Sequence, residues 1–342
     1  MRFILILALM VASCDTTDFP EDPPPGDPPH EKDIIVFSAK DENNAFQIFT
    51  IRPDGSALQK LTNFSEDEEG LYPNWKPDGS KIIFSSWKEG TSTGPALWTM
   101  GRDGTDLKVL FDLEPDNPHV PPLAGNYPQW SLDGKKVLFD LCLGCSAGTN
   151  NDIFVFDTQT QETVRLTDQP IDLPGAHFKP AWHPQGSQIS FISESQRLPG
   201  DTTGFRQTLQ IMQADGSMVR SVPHPGSVRD YVWGPTPGKI TYVPSTGALS
   251  QKIVEYDMLT GAENHVLDFL SDEFAWLPLT WHEDGEYLLV VSTSKAFRPI
   301  SRLIIVDVKR QETKVLFSKR APNVNPVISG ADWITVPPPF AP

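Results

Sequence analysis

Two stretches carry the G-x-S-x-G spacing of a nucleophilic serine: Gly90-Thr91-Ser92-Thr93-Gly94 and Gly144-Cys145-Ser146-Ala147-Gly148. That spacing works in hydrolases because a sharp strand-to-helix turn lifts the serine Oγ clear of a sheet. No helical pattern follows either stretch, and both fall in loops rich in small residues, so neither is assigned a catalytic role. Cys142 and Cys145 form one C-x-x-C. A single pair is half of a zinc site, and no βαβ pattern surrounds it, so a loop-pinning disulfide in an oxidising compartment is the expectation. His119, His177 and His224 are ligands by type, but nothing fixes their mutual spacing. Glu66, Asp67, Glu68 and Glu69 are acidic without the spaced Asp and Asn ligands of a calcium loop. No cofactor motif is present, and no catalytic or metal residue is assigned.

The elements that must position these residues repeat. Residues 72–86 read YPNWKPDGSKIIFSS, a strand ending at Trp75, a Pro77-Asp78-Gly79 turn and a second strand. Pro presets φ at the first corner, Asp bonds to the backbone ahead of it, and Gly takes the positive φ. The pattern returns at Trp130, Trp182, Trp233 and Trp281, and in clipped form at Trp333, with 48 to 55 residues between successive tryptophans. A period near 50 with strand-rich units points to propeller blades. Each unit reads as four short strands, A to D, with a second Asp-Gly turn between C and D, as at Asp54-Gly55, Asp103-Gly104 and Asp215-Gly216.

The first unit opens at Ile34 without an A strand, and the last supplies an A strand with nothing after it. The halves complete one another. The expected fold is all-β, a six-bladed β-propeller with four-stranded blades, its ring closed by pairing the C-terminal strand with the N-terminal strands. Closure hides strand edges that invite aggregation.

The pattern P-x-W-x-P-D-G-x-x-I-x-F, with closing L-T pairs at Leu61-Thr62 and Leu166-Thr167, resembles the WD40-like PD40 repeat of TolB-type six-bladed propellers. The resemblance covers residues 33–336 and implies the fold. TolB-type proteins carry a further N-terminal α/β domain and are soluble in the periplasm, so a role in a Tol–Pal system does not follow. Prolyl oligopeptidases carry similar propellers, with a hydrolase domain that has no counterpart here. Some metal-dependent oligouronide lyases are also propellers, with His ligands converging at the channel. That resemblance makes a glycan-processing enzyme the alternative, with His119, His177 and His224 as its ligands.

Residues 1–13 read as a signal peptide: Arg2, an apolar run, and small residues before Cys14. Val11-Ala12-Ser13-Cys14 resembles the lipobox of bacterial lipoproteins, which implies acylation of Cys14 and anchoring to a membrane of the cell envelope. More than one acyl chain gives stable residence in a bilayer. Residues 14–32 include PEDPPPGDPP and read as a Pro-rich acidic tether; 33–336 form the propeller and 337–342 a Pro-rich tail. The net charge of −16 argues against nucleic acid, which needs clustered Lys and Arg.

In a propeller the A–B and C–D turns share one face, and the B–C loops and D–A connections share the other. Here the second set is long and irregular, and binding concentrates in such loops. The expected partner is an envelope protein or a glycan, held by a monomeric propeller. The candidate contacts are Trp87, Arg197, Phe205, Arg206, Trp276, Lys295, Phe297 and Arg298, because aromatic and Arg side chains dominate interface energetics. His183 and His282, each directly after a motif Trp, read as neutral turn-flanking residues.

Overall fold

The computed structural model describes residues 32–88, 96–111, 123–142, 151–168, 175–196, 205–223, 227–245, 252–267, 274–295, 299–321 and 327–335. These form six antiparallel four-stranded sheets and no helix. Blade one contains β1 (Asp33–Lys40), β2 (Phe46–Ile51) and β3 (Gln59–Lys60). Blade two is β4 (Glu68–Trp75), β5 (Lys81–Lys88), β6 (Ala96–Gly101) and β7 (Lys108–Phe111). Blade three is β8 (Leu123–Trp130), β9 (Lys136–Cys142), β10 (Asn151–Asp157) and β11 (Thr163–Arg165). Blade four is β12 (Gly175–Trp182), β13 (Gln188–Gln196), β14 (Phe205–Gln213) and β15 (Arg220–Ser221). Blade five is β16 (Ser227–Trp233), β17 (Lys239–Ser245), β18 (Val254–Asp257) and β19 (Glu263–His265). Blade six is β20 (Phe274–Trp281), β21 (Tyr287–Ser294), β22 (Ile300–Asp307) and β23 (Glu312–Arg320). The last strand, β24 (Ile328–Thr335), completes blade one in the order β24-β1-β2-β3, with Ile35 opposite Trp333. The expected closure is the one observed.

The repeated turns do the local work assigned to them. Gly79 takes φ +68° and its N–H bonds to Lys76 O at 2.8 Å, while Asp78 Oδ1 accepts the N–H of Ser80 at 2.9 Å. In the C–D turn, Gly104 takes φ +85° beside the Leu61 carbonyl of the preceding blade. The L-T pair also has a structural reason. Thr62 Oγ1 accepts the N–H of Ile48 at 2.9 Å and donates to Gln47 Oε1 at 2.8 Å. Thr167 repeats this with Ile153 N–H at 3.0 Å and Asp152 Oδ1 at 2.6 Å. Each threonine thus ties its outer strand to the start of strand C.

The core lies between blades. Ile35, Phe37 and Trp333 of blade one pack on Leu289, Leu303 and Ile305 of blade six, and the other blade junctions have equivalent clusters. Four of the six motif tryptophans, Trp75, Trp130, Trp233 and Trp333, are buried, each removing on the order of 150–250 Å² of apolar surface from water. Trp182 and Trp281 are half-buried.

Several loop boundaries differ from the sequence reading. Trp87 falls within β5, Phe205 and Arg206 within β14, and Glu68 and Glu69 within β4. Antiparallel partners across each hairpin, such as Arg206 opposite Ser195, carry the pairing past the apolar stretch that marks the strands in sequence.

Candidate functional site

Five inner strands end at a motif Trp and the sixth, β24, runs two residues past Trp333; residues just before these tryptophans line the axis. The inner strands of all six blades enclose a cavity of about 470 Å³, lined among others by Tyr72, Tyr127, Lys179, Trp182, Trp233 and Trp281. The position three residues before Trp reads Tyr72, Tyr127, Lys179, Asp230, Pro278 and Gly330 around the ring. The repeat varies there, and neighbours touch. The Tyr72 and Tyr127 rings stack with centroids 4.1 Å apart. Lys179 Nζ lies 5.8 Å from the Tyr127 ring centroid and forms an ion pair with Asp230. A Cβ on Gly330 would come within 3.2 Å of Tyr72 Cα, so the small residue admits the tyrosine.

Tyr72, Tyr127 and Lys179 adopt φ of 53°, 50° and 52°. Each sits at a register shift against its B strand. A left-handed backbone at a bulky residue is strained by roughly 1–2 kcal/mol. The bulge redirects these three side chains, so blades two to four share one aromatic and cationic wall.

The position directly before Trp stitches blades together. Asp332 Oδ2 accepts the Trp75 N–H and the Asn74 amide, both at 2.8 Å. Asn74 Oδ1 accepts the Trp130 N–H at 3.1 Å, and Gln129 Oε1 accepts the Trp182 N–H at 2.6 Å. The series stops at Ala181 and Val232, which have no polar side-chain atom to continue it. Asp140, fully buried, accepts the Lys179 N–H at 2.8 Å and the Asn151 amide at 3.2 Å.

Burial raises Asp140 to about 7 and Asp332 to about 6, against the hydrogen bonds that favour their anions. Asp332 keeps some exposed surface, but the surrounding blades remove most of its water. Burial also lowers the Lys179 ammonium, while Asp230 compensates its charge. Both aspartates are committed to N–H groups of the frame, which suits them to hold the wall rather than to transfer protons.

The candidate residues from sequence fare unevenly. Arg206 and Lys295 are exposed, at the start of β14 and just past β21, both on the B–C side. Trp276 is corrected: it is a core residue, in a cluster that joins Val243 of blade five to Leu288, Val290 and Ile304 of its own blade. Cys14, Cys145, Arg197, Phe297, Arg298, His119, His224 and both serine motifs lie outside the described residues, as do the side chains of Trp87, Cys142 and Phe205. His177 is half-buried, edge-on to Phe191 and 3.5 Å from Asp152. Among the described residues no three His, Cys, Asp or Glu side chains converge as a metal set.

The two histidines treated alike in sequence separate. Burial lowers the His183 pKa, in keeping with a neutral ring. His282 differs: Asp33 and Asp284 lie 2.9 and 2.8 Å from its two nitrogens and, against burial, raise its pKa. Neither the wall nor the stitches were named from sequence. Their signal was present as variation at two columns of an otherwise regular repeat.

No family model matches the chain. The Tol-Pal system protein TolB of Nitratidesulfovibrio vulgaris is 26% identical over 162 residues, 47% of this chain and 32% of the relative. The chain therefore spans about a third of that relative's length. TolB from Acinetobacter baumannii superposes with a TM-score of 0.61 at 20% identity, covering 90% of this chain and 68% of the other. An oligogalacturonate lyase in complex with manganese superposes at 0.53 and 13% identity, covering 82% of this chain and 73% of the other. Likenesses this distant speak to architecture. The chain is a TolB-like six-bladed β-propeller.

Proposed function

We propose that the protein is a non-catalytic binding propeller of the bacterial cell envelope, anchored to a membrane by acylated Cys14. Residues 14–32 hold a monomeric ring away from the bilayer, and the ring captures an envelope protein through its B–C and D–A face. Arg206 and Lys295 carry this reading. They stand exposed at B–C hairpin ends in blades four and six, on the face whose connections do not repeat. The opposite face is built from turns whose Asp side chains are spent on their own backbone, as Asp54 is on the Ser56 N–H and Asp215 on the Ser217 N–H. The envelope location draws on the likeness to TolB.

Two variants test the proposal. Cys14→Ser should move the protein from the membrane fraction to the soluble fraction; retention in the membrane contradicts the anchor. Combined Arg197→Glu, Arg206→Glu and Arg298→Glu should abolish capture of the partner by the intact ring, and unchanged capture removes this face from the proposal.

A further inference from the structure

Three segments meet at the seam of the ring: the first residue of β1, the C-terminal strand β24 and the turn between β20 and β21. Asp33 is fully buried. Its Oδ2 accepts the Trp333 Nε1–H at 3.1 Å and lies 2.9 Å from His282 Nε2. His282 is also buried, and its Nδ1 lies 2.8 Å from Asp284 Oδ2. A neutral imidazole has one N–H and one lone pair. Carboxylate oxygens at hydrogen-bond distance from both nitrogens fit the imidazolium, which donates from both. The neutral ring has another arrangement within reach. The Asp284 backbone N–H lies 3.4 Å from the same Nδ1, which can accept it while Nε2–H stays on Asp33 and the Asp284 carboxylate is released.

His183 is an internal control. It occupies the same place in the repeat and packs on the next blade's tryptophan, 4.5 Å from Trp233, as His282 packs 4.7 Å from Trp333. Its Nδ1 accepts the Gln185 N–H at 3.1 Å, and among the described residues no carboxylate pairs with it. The repeat accounts for a ring on the tryptophan; it does not account for two acids around His282.

We infer that Asp33, His282 and Asp284 form a proton-operated latch on the ring seam. Protonated His282 clamps β1 and β24 to blade six, and loss of the proton weakens the seam while leaving the other blade junctions as they are.

Among the described residues, the groups that face the imidazole include Asp33 from β1, Trp333 and Thr335 from β24, Asp284 from its own turn and the Tyr287 ring from β21, 6.4 Å away. The charged ones are the two carboxylates, and both favour the cation. Burial works against the charge, and these carboxylates outweigh it, so the pKa is raised above the ordinary 6.5. A raised histidine stabilises fully below the unfolded value and loses that contribution as pH rises through the folded one.

Amide hydrogen exchange on the full chain reads the seam, with β17 and β18 of blade five as reference, because Asp140 and Lys179, both at about 7, lie in or against blade four. Relative to that reference, protection of β1 and β24 should fall severalfold between pH 6 and pH 9, as the folded-state proton is lost. His183→Gln should keep this slope and His282→Gln should abolish it. Should His282→Gln fail to fold, Asp284→Asn leaves the Asp33–His282 contact in place and should reduce the slope. Nitrogen chemical shifts of His282 should show both ring nitrogens protonated at pH 6. Seam protection that tracks the reference across this range, or a neutral His282 at pH 6, overturns the latch.

Discussion

The Oδ2 atom of Asp332 accepts the backbone N–H of Trp75 at 2.8 Å, across 257 positions of sequence. It is the first of three stitches that pass a hydrogen bond from each inner strand to the next tryptophan, from blade one to blade four. Three of the six junctions are therefore sewn at this column, and the others are joined by different polar contacts: Lys179 with Asp230, Trp281 Nε1–H with Thr241 Oγ1, and His282 with Asp33.

Asp332→Ala strands the Trp75 N–H and the Asn74 amide. Each buried donor left unpaired is worth about 1–3 kcal/mol, so urea unfolding should show a loss of about 3 kcal/mol. Thr280→Ala, at the same column in blade six, should change stability by less than about 0.5 kcal/mol. Among the described residues, its hydroxyl donates to the carbonyl of the adjacent Trp281.

Stability should fall as pH rises from about 4 to about 7. Asp140 at about 7 and Asp332 at about 6 both sit above the ordinary 3.8, so in this window the folded state holds protons that the unfolded chain has released. For fully buried Asp140 the change is of order a few kcal/mol. Denaturant midpoints between pH 4.5 and pH 8 check the direction, and a midpoint that rises with pH contradicts it.

Lys179→Met leaves Asp230 without its cation at the cavity wall. The pair retains some solvent access, which discounts the value for a fully buried pair to about 2–3 kcal/mol. Adding Asp230→Asn should restore part of that loss. Urea titration of the two single variants and the double variant gives the coupling.

Gly104→Ala should be worse than Gly55→Ala. Both glycines have φ +85°, but a Cβ on Gly104 would stand 2.8 Å from the Leu61 carbonyl oxygen, whereas at Gly55 nothing lies within 4 Å. The backbone term alone is about 1 kcal/mol, so the thermal shift of Gly104→Ala should exceed that of Gly55→Ala at least twofold.

Blade number, turn positions and ring closure were legible because they repeat: six tryptophans and their Asp-Gly turns encode local geometry within a few residues. The wall was not, because no single blade contains it. Tyr72, Tyr127 and Lys179 make a surface only when the ring places residues about fifty positions apart side by side. The same reason hid Trp276, whose burial depends on the neighbouring blade, and His282, whose acid Asp33 arrives from the other end of the chain. Strand ends such as Phe205 and Arg206 were missed because hairpin pairing, rather than apolar pattern, extends them.

The central claim is that a partner docks on the B–C and D–A face. Photo-crosslinking side chains placed at Arg206 and Lys295, and separately at the exposed turn-face residues Leu132 and Leu259, test it in native membranes. One discrete adduct shared by positions 206 and 295, with none from 132 or 259, is the predicted result. Adducts confined to the turn face, or none from either loop-face position, would contradict it.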